Sequence, residues 1–270
     1  MYGNTTKRWA TAGLSAVLLL TPATLPRSQQ AANILTPVCQ VPDGEIASEA
    51  PLRHLPAILQ TQTRPRVLAI GSSSTAGVGA TSPYNTYPAQ LEAILERLLK
   101  NVDLEMFNRG VSGEVALTTA ERLKQEVERL RPHLVLWQVG TNSLLRGDPI
   151  APHRSLLHGG IVRLKAINSD IVLIDPQYAP RVIARPNADG MIKLLQETAR
   201  FETVNLFRRF ALMRHWHQVE RMPFEAFLSP DELHMNDFSY GCVARALGSA
   251  IAEALTRPVL SATTAPVAKR

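Results

Sequence analysis

The sequence predicts a single α/β domain: a mainly parallel sheet of five strands with helices on both faces, in three layers. Three observations predict it. Short, nearly continuous apolar runs recur along the chain. Each is separated from the next by a longer segment with apolar residues at helical spacing. Gly, Ser and Asn cluster directly after the first three runs. Strands buried on both faces read as apolar throughout, and parallel strands need helical crossovers between them. The length of 270 residues, with 45% hydrophobic and 19% charged residues, suits one globular domain with dispensable ends.

The elements follow in order. Residues 66–70 (RVLAI) form the first strand, closed by Gly71. Residues 84–99 place Leu91, Ile94, Leu98 and Leu99 on one helical face. Residues 104–108 are the second strand, and 117–130, rich in Glu, Arg and Lys, the next helix. Residues 133–139 (HLVLWQV) make the third strand, 155–167 a helix and 170–174 (DIVLI) the fourth strand. A helix over 187–200, a short fifth strand over 203–206 and a long amphipathic helix over 240–255 complete the domain. No internal repeat is visible.

The ends have a different character. Lys7 and Arg8 precede an uncharged, mostly apolar run from Trp9 to Leu20, then Pro22, Pro26 and small residues. That is the layout of an export signal, here assigned to residues 1–32. About 18 uncharged residues lie between Arg8 and Arg27, with prolines inside them, which is marginal for a membrane span. The expectation is an exported protein, periplasmic or secreted, with an uncleaved anchor as the alternative. Residues 33–65 read as a polar lead-in, 66–256 as the domain and 257–270 as a flexible tail. Removing residues 1–32 takes away Lys7, Arg8 and Arg27 and no acid, so the net charge of +6 falls to +3. No basic cluster with interleaved aromatics remains, so nucleic-acid binding is not expected. Cys39 and Cys242 would meet in an oxidising compartment as a bridge, or remain a free thiol and a buried apolar residue.

In open parallel sheets, ligands bind beyond the carboxyl ends of the strands. Three segments stand there: residues 71–77 (GSSSTAG) after strand one, 108–114 (NRGVSGE) at the end of strand two, and 140–142 (GTN) after strand three. A fourth, 231–234 (DELH), precedes the last helix. Each has an ordinary explanation alone. A Gly/Ser turn is common after a strand, but this one lacks both the Lys of a phosphate-cradling loop and dinucleotide spacing. Asn142 alone would cap a helix. Their occurrence together and in this order is uncommon.

The four segments resemble the ordered sequence blocks of the SGNH (GDSL-type) hydrolases, over roughly residues 66–256. The serine of the first block falls on Ser73, the glycine of the second on Gly113, and the asparagine of the Gly-x-Asn block on Asn142. The Asp-x-x-His block supplies Asp231 and His234. Two positions depart: Ser72 stands where the family has aspartate, and Met235 where proline is usual. Neither removes a group that makes or breaks bonds. The resemblance implies a flavodoxin-like fold and a serine esterase that needs no cofactor.

The chemistry of acyl transfer assigns the roles. A serine hydroxyl needs an adjacent base, which His234 provides near neutral pH. Asp231, three residues earlier, orients the ring and stabilises its charged form. The resemblance implies an oxyanion hole of the Ser73 and Gly113 amides with the Asn142 side chain. Ser72 and Ser74 are the competing nucleophiles, and the block alignment favours Ser73. His215, His217 and Glu220 do not make a metal site by spacing, so no metal is expected. The flanking loops carry Arg146, Tyr178 and Arg181 among few apolar residues, which suits a hydroxyl-rich ligand. The expected reaction is removal of short O-acyl groups from a saccharide. An O-acyltransferase using the same acyl-enzyme, or a non-catalytic carbohydrate-binding relative, are the alternatives.

Overall fold

The structure is a computed structural model. It describes residues 50–61, 63–100 and 102–258, together with Met1, Cys39, Val41 and Pro42. The expected export signal and nearly all of the expected tail lie outside the described residues. From Cys39 onward the described residues form one compact unit.

Among the described residues there are eleven α-helices and five strands. The order is α1 (Leu55–Leu59), β1 (Arg66–Gly71), α2 (Ser73–Ala76), a 3-10 turn (Pro83–Asn85), α3 (Tyr87–Leu98) and β2 (Glu105–Gly110). There follow α4 (Ala116–Leu130), β3 (Leu134–Gln138), α5 (Thr141–Arg146), α6 (Pro152–Ala166), β4 (Asp170–Ile174) and α7 (Pro180–Ile183). The last are α8 (Ala188–Glu202), β5 (Asn205–Phe207), α9 (Arg209–Gln218), α10 (Phe224–Phe227) and α11 (Asp237–Thr256). All five strands pair in parallel, in the order β2-β1-β3-β4-β5.

This order locates the site. The chain leaves β1 toward β2, then crosses back over β1 to β3 and continues outward to β4 and β5. Right-handed crossovers running in opposite directions put their helices on opposite faces. Thus α3 lies on one face, where α11 packs against it, while α4, α6 and α8 form a contiguous row on the other. The direction reverses between β1 and β3, and the crevice at that switch is where such sheets bind ligands. The residues directly after these two strands are Ser72–Ser73 and Val139–Asn142.

The core sits where the apolar runs predict it. β3, β4 and β5 are buried along their whole length, as is β1 after Arg66. Edge strand β2 is half-buried throughout. Residues 50–61 carry more structure than a polar lead-in: Leu52 and Leu55 join the core. The Asp170 carboxylate at the start of β4 accepts from the amides of Arg53 (2.7 Å), His54 (2.9 Å) and Leu55 (2.7 Å), fixing the entry to α1. Cys39 and Cys242 form a disulfide with Cα atoms 5.4 Å apart, spanning 203 residues and tying the start of the compact unit to α11.

Candidate active site

The first rim segment is a tight strand–turn–helix. β1 ends at Gly71, Ser72 is extended, and Ser73 begins the single turn of α2. The turn packs directly on β2: a Cβ on Gly110 would lie 2.0 Å from the amide nitrogen of Ala76, so only glycine fits there. Gln138, the last residue of β3, holds the turn from below. Its Oε1 accepts from the Ser72 amide (2.8 Å), the Ser72 hydroxyl (3.0 Å) and the Thr75 hydroxyl (3.3 Å). Ser72 therefore keeps the turn ordered with a hydroxyl in place of the family's carboxylate. Ser74 and Thr75 are fully buried, while Ser73 is 8% exposed. Of the competing serines, Ser73 is the one within reach of an imidazole.

The His234 ring lies 2.8 Å from the Ser73 hydroxyl through Nε2, and Nδ1 meets Asp231 Oδ2. The other oxygen, Asp231 Oδ1, accepts from the amides of His234 (2.9 Å) and Leu233 (3.1 Å), so carboxylate and ring are set by one tight turn. Burial pushes the Asp231 carboxyl upward, but the His234 amide, the His234 ring and the Leu233 amide outweigh it and hold the group below the ordinary carboxylate range. Asp231 is thus a permanent anion beside Nδ1, which fixes that nitrogen as the donor and leaves Nε2 to accept from the serine. Met235 is buried, and an isolated antiparallel bridge to Leu228 anchors the segment at the position of the family's proline. On the opposite flank, Asp237 accepts from the Thr81 amide (2.8 Å), the Thr81 hydroxyl (2.5 Å) and Asn85 Nδ2 (2.9 Å), and the Tyr240 hydroxyl donates to the Val78 carbonyl (2.7 Å). These bonds pin the loop after Ser73 to the start of α11.

The second and third segments meet each other at the rim. Gly113 has φ +79°, a left-handed conformation that favours glycine, and the space over its Cα is open. Asn142 Nδ2 donates one hydrogen to the Glu114 carbonyl (2.9 Å), leaving a second. Among the described residues, no acceptor is taken by the amides of Ser73 or Gly113. The loop carrying Gly113 is braced at three points. The Val111 amide bonds the Gly71 carbonyl (2.9 Å), Arg146 donates to the Gly113 carbonyl (2.9 Å), and the Glu114 carboxylate binds Arg122 (2.5 Å) and the Thr119 hydroxyl (2.9 Å).

Hydrogen bonds join Ser73, His234 and Asp231, and a separate bond joins Asn142 to the loop carrying Gly113, while the other three sequence-predicted residues are placed differently. Arg146 is exposed and engaged with the Gly113 carbonyl. Arg181 is exposed on the rim, its amide 3.4 Å from the Glu232 carbonyl. Tyr178, expected to offer a stacking face, is instead 8% exposed inside an aromatic cluster. Its ring stacks with Phe224 at 6.0 Å and meets the edge of Phe210 at 5.1 Å, and its hydroxyl accepts from Gln218 Nε2 (3.2 Å). An aromatic next to a polar loop reads as a ligand platform, but the added apolar burial inside the cluster decides its place. The same cluster takes His217, stacked on Phe224 at 4.0 Å, whereas His215 faces Glu220 at 3.3 Å. Among the described residues, no group of three or more His, Cys, Asp or Glu is arranged to hold a metal ion. Gln138, Glu114 and Arg122 were not marked by sequence. A glutamine within an apolar strand is the one signal that could have drawn attention to Gln138.

Several solved structures share this fold. A two-domain esterase active on acetylated mannans superposes with a TM-score of 0.67 over 80% of this chain, at 14% identity. The chain spans 57% of that protein's length. A variant of an acetyl xylan esterase from Geobacillus stearothermophilus gives 0.59 at 19% identity, over 69% of this chain and 94% of the other. The psychrotrophic esterase EstA from Pseudoalteromonas sp. gives 0.59 at 20% identity, over 71% and 99%. No curated protein matches the sequence. The architecture is thus that of the SGNH-type esterases, and one family model covers most of the chain, residues 38–257. The chain belongs to the Non-GDSL lipase-like family.

Proposed function

We propose that the protein is a serine ester hydrolase that removes short O-acyl groups from a saccharide. The observation that carries this reading is the hydrogen-bonded series from Ser73 through His234 to Asp231, with 2.8 Å between the serine hydroxyl and Nε2. His234 Nε2 takes the proton of the Ser73 hydroxyl as Oγ attacks the acyl carbon. The carbonyl oxygen becomes an oxyanion and accepts from the Ser73 and Gly113 amides and the second Nδ2 hydrogen of Asn142. One such donor lowers the barrier by about 3–4 kcal/mol. His234 then gives its proton to the leaving alcohol oxygen as the bond to the acyl carbon breaks. Water attacks the acyl-enzyme in the same way, giving up a proton to Nε2, which returns it to Ser73 Oγ. Asp231 stays ionised throughout and stabilises the imidazolium.

Several features support the substrate class. The rim carries the exposed guanidinium groups of Arg146 and Arg181. Two proteins of the same fold are described as acting on acetylated mannans and as an acetyl xylan esterase. The test is turnover of nitrophenyl esters from acetate to laurate, with and without a sugar acceptor. Release without acceptor, falling with chain length, is expected. A steady rise in kcat/KM toward laurate would refute the short-acyl reading, and release only with a sugar would make the protein a transferase.

The same reading places the protein outside the cytoplasm, exported by residues 1–32. The Cys39–Cys242 disulfide supports it, because such bonds persist in oxidising compartments. Among the described residues no helix is long and apolar enough to cross a membrane. Thiol titration of the denatured, unreduced protein from its native host should find no free thiol; two would overturn the placement.

A further inference from the structure

Behind the proposed site lies a buried polar node that the ester chemistry above does not use. Arg209 opens α9 and is fully buried. Its Nε donates to the Asp175 carbonyl (3.0 Å) and an Nη donates to Gln177 Oε1 (2.9 Å). Asp175 Oδ1 in turn accepts from the Phe210 amide (2.8 Å), locking the first turn of α9 against the chain leaving β4. Gln177 is 1% exposed. Its Oε1 also accepts from the Thr141 hydroxyl (3.0 Å), and its Nε2 donates to the Leu233 carbonyl (3.2 Å).

The orientation of that amide is dictated by its partners. Arginine only donates, so the oxygen of Gln177 must face Arg209, and the nitrogen must then face Leu233. Each contact has a neighbour in the chemistry. Thr141 precedes Asn142, the oxyanion-hole amide. Leu233 lies between Asp231 and His234, and its own amide holds Asp231 Oδ1. One planar side chain, clamped by a buried cation, therefore bridges the turn after β3 to the turn carrying the base. Burying an arginine without solvent is costly, and Arg209 offsets part of that cost through its Nε and one Nη, while its other Nη and Asp175 Oδ2 are buried without a partner among the described residues; the bonds it does make fix the Gln177 amide.

We propose that Gln177, oriented by Arg209, is a positioning residue that sets the distance between the oxyanion-hole side of the site and the acid–base turn. It touches no reacting atom and acts through the Leu233 carbonyl and the Thr141 hydroxyl. The inference rests on the esterase reading for its kinetic consequences, while its structural content stands independently of that reading.

The test compares the full, oxidised chain with Gln177→Glu and Gln177→Met. The Glu variant is isosteric and keeps acceptors for Arg209 and Thr141 but replaces the donor to Leu233 with an acceptor, whereas the Met variant removes all three bonds, and Tm is measured for both. Nitrophenyl acetate turnover is measured per site titrated with a phosphonate, and the His234 ring protons are followed by NMR. Small misplacements of catalytic groups cost up to about 100-fold. A fall in kcat of about tenfold or more is expected, with KM changed less than about twofold, together with a displaced or broadened Nδ1 proton signal. Unchanged kcat per site and an unchanged ring signal, with only a lower Tm, would reduce Gln177 to core packing and overturn the proposal. If the unaltered protein turns over no ester, the esterase reading fails, and the ring signal still decides whether Gln177 positions His234.

Discussion

The two ends of the sheet handle buried polar groups in opposite ways. At the amino end, Asp170 receives three backbone amides within 2.9 Å, and Glu202 nearby is bound by Lys165 (3.2 Å) and His158 (2.6 Å). At the carboxyl end, the Ser73 and Gly113 amides and one hydrogen of Asn142 engage no acceptor among the described residues, and the Ser73 hydroxyl is poised on an imidazole. The amino end has a hollow of about 430 Å³, lined by Pro51–His54, Lys165, Ser169 and the start of β5. Yet Asp170, Lys165 and Glu202 there are already engaged with backbone groups or with one another. Unspent hydrogen-bonding capacity, held rigid by its surroundings, separates a site built to act from one built to hold.

That contrast breaks most directly at the carboxyl end. Ser73→Ala should abolish ester turnover while leaving Tm within a few degrees, because a hydroxyl of a small, nearly buried side chain is all that is lost. Asp231→Asn should lower kcat about 10⁴-fold by removing the charge that selects the ring tautomer. Wild-type rates in Ser73→Ala would end the assignment.

At the amino end the effect should be on stability alone. Asp170→Ala strands three amide donors near a buried position, a loss of about 3–5 kcal/mol in urea unfolding. Turnover per folded molecule should stay within about twofold at low temperature. A catalytic defect larger than that would mean the two ends are coupled and the contrast is mistaken.

Asn142→Ala sharpens the comparison from the other side. It removes the bond to the Glu114 carbonyl and, on the proposed reading, one oxyanion donor, so kcat should fall about 10²–10³-fold with a modest change in Tm. Equal loss for acetate and butyrate esters is expected, since the oxyanion is common to both. Loss confined to the longer acyl chain would identify Asn142 with the acyl pocket instead.

Strands β3 and β4 were legible because burial on both faces makes them apolar throughout, and DIVLI matches β4 residue for residue. Edge strand β2 is displaced from 104–108 to 105–110, since a half-buried strand carries a diluted signal. Helix α9 was missed as an element, because Arg209 and Trp216 are both buried in it and its apolar face is broken by a cation. The candidate residues Ser73, Gly113, Asn142, Asp231 and His234 were marked through motif and order. The groups that hold them, Gln138, Gln177 and Arg209, were not, because their roles arise only where separate strand ends converge. Tyr178 shows the same limit: sequence names the ring, and packing decides whether a face is left for a ligand.

Arg146 offers the smallest and most discriminating effect. Sequence suggests a saccharide contact, whereas the side chain spends one donor on the Gly113 carbonyl, 2.9 Å away. These roles separate kinetically. If Arg146 chiefly braces the oxyanion loop, Arg146→Ala should lower kcat for every ester alike, by about three- to tenfold, the worth of one exposed charge-assisted hydrogen bond. If its remaining donors bind sugar hydroxyls, KM should rise for an acetylated oligosaccharide and not for nitrophenyl acetate. Arg146→Lys adds a control, since a lysine can reach a hydroxyl as a point charge but cannot brace one carbonyl and reach a ligand with a second arm. We expect the bracing pattern, a uniform fall in kcat only partly restored by lysine, because the guanidinium already engages the Gly113 carbonyl. A selective rise in KM for the oligosaccharide would instead make Arg146 a specificity residue.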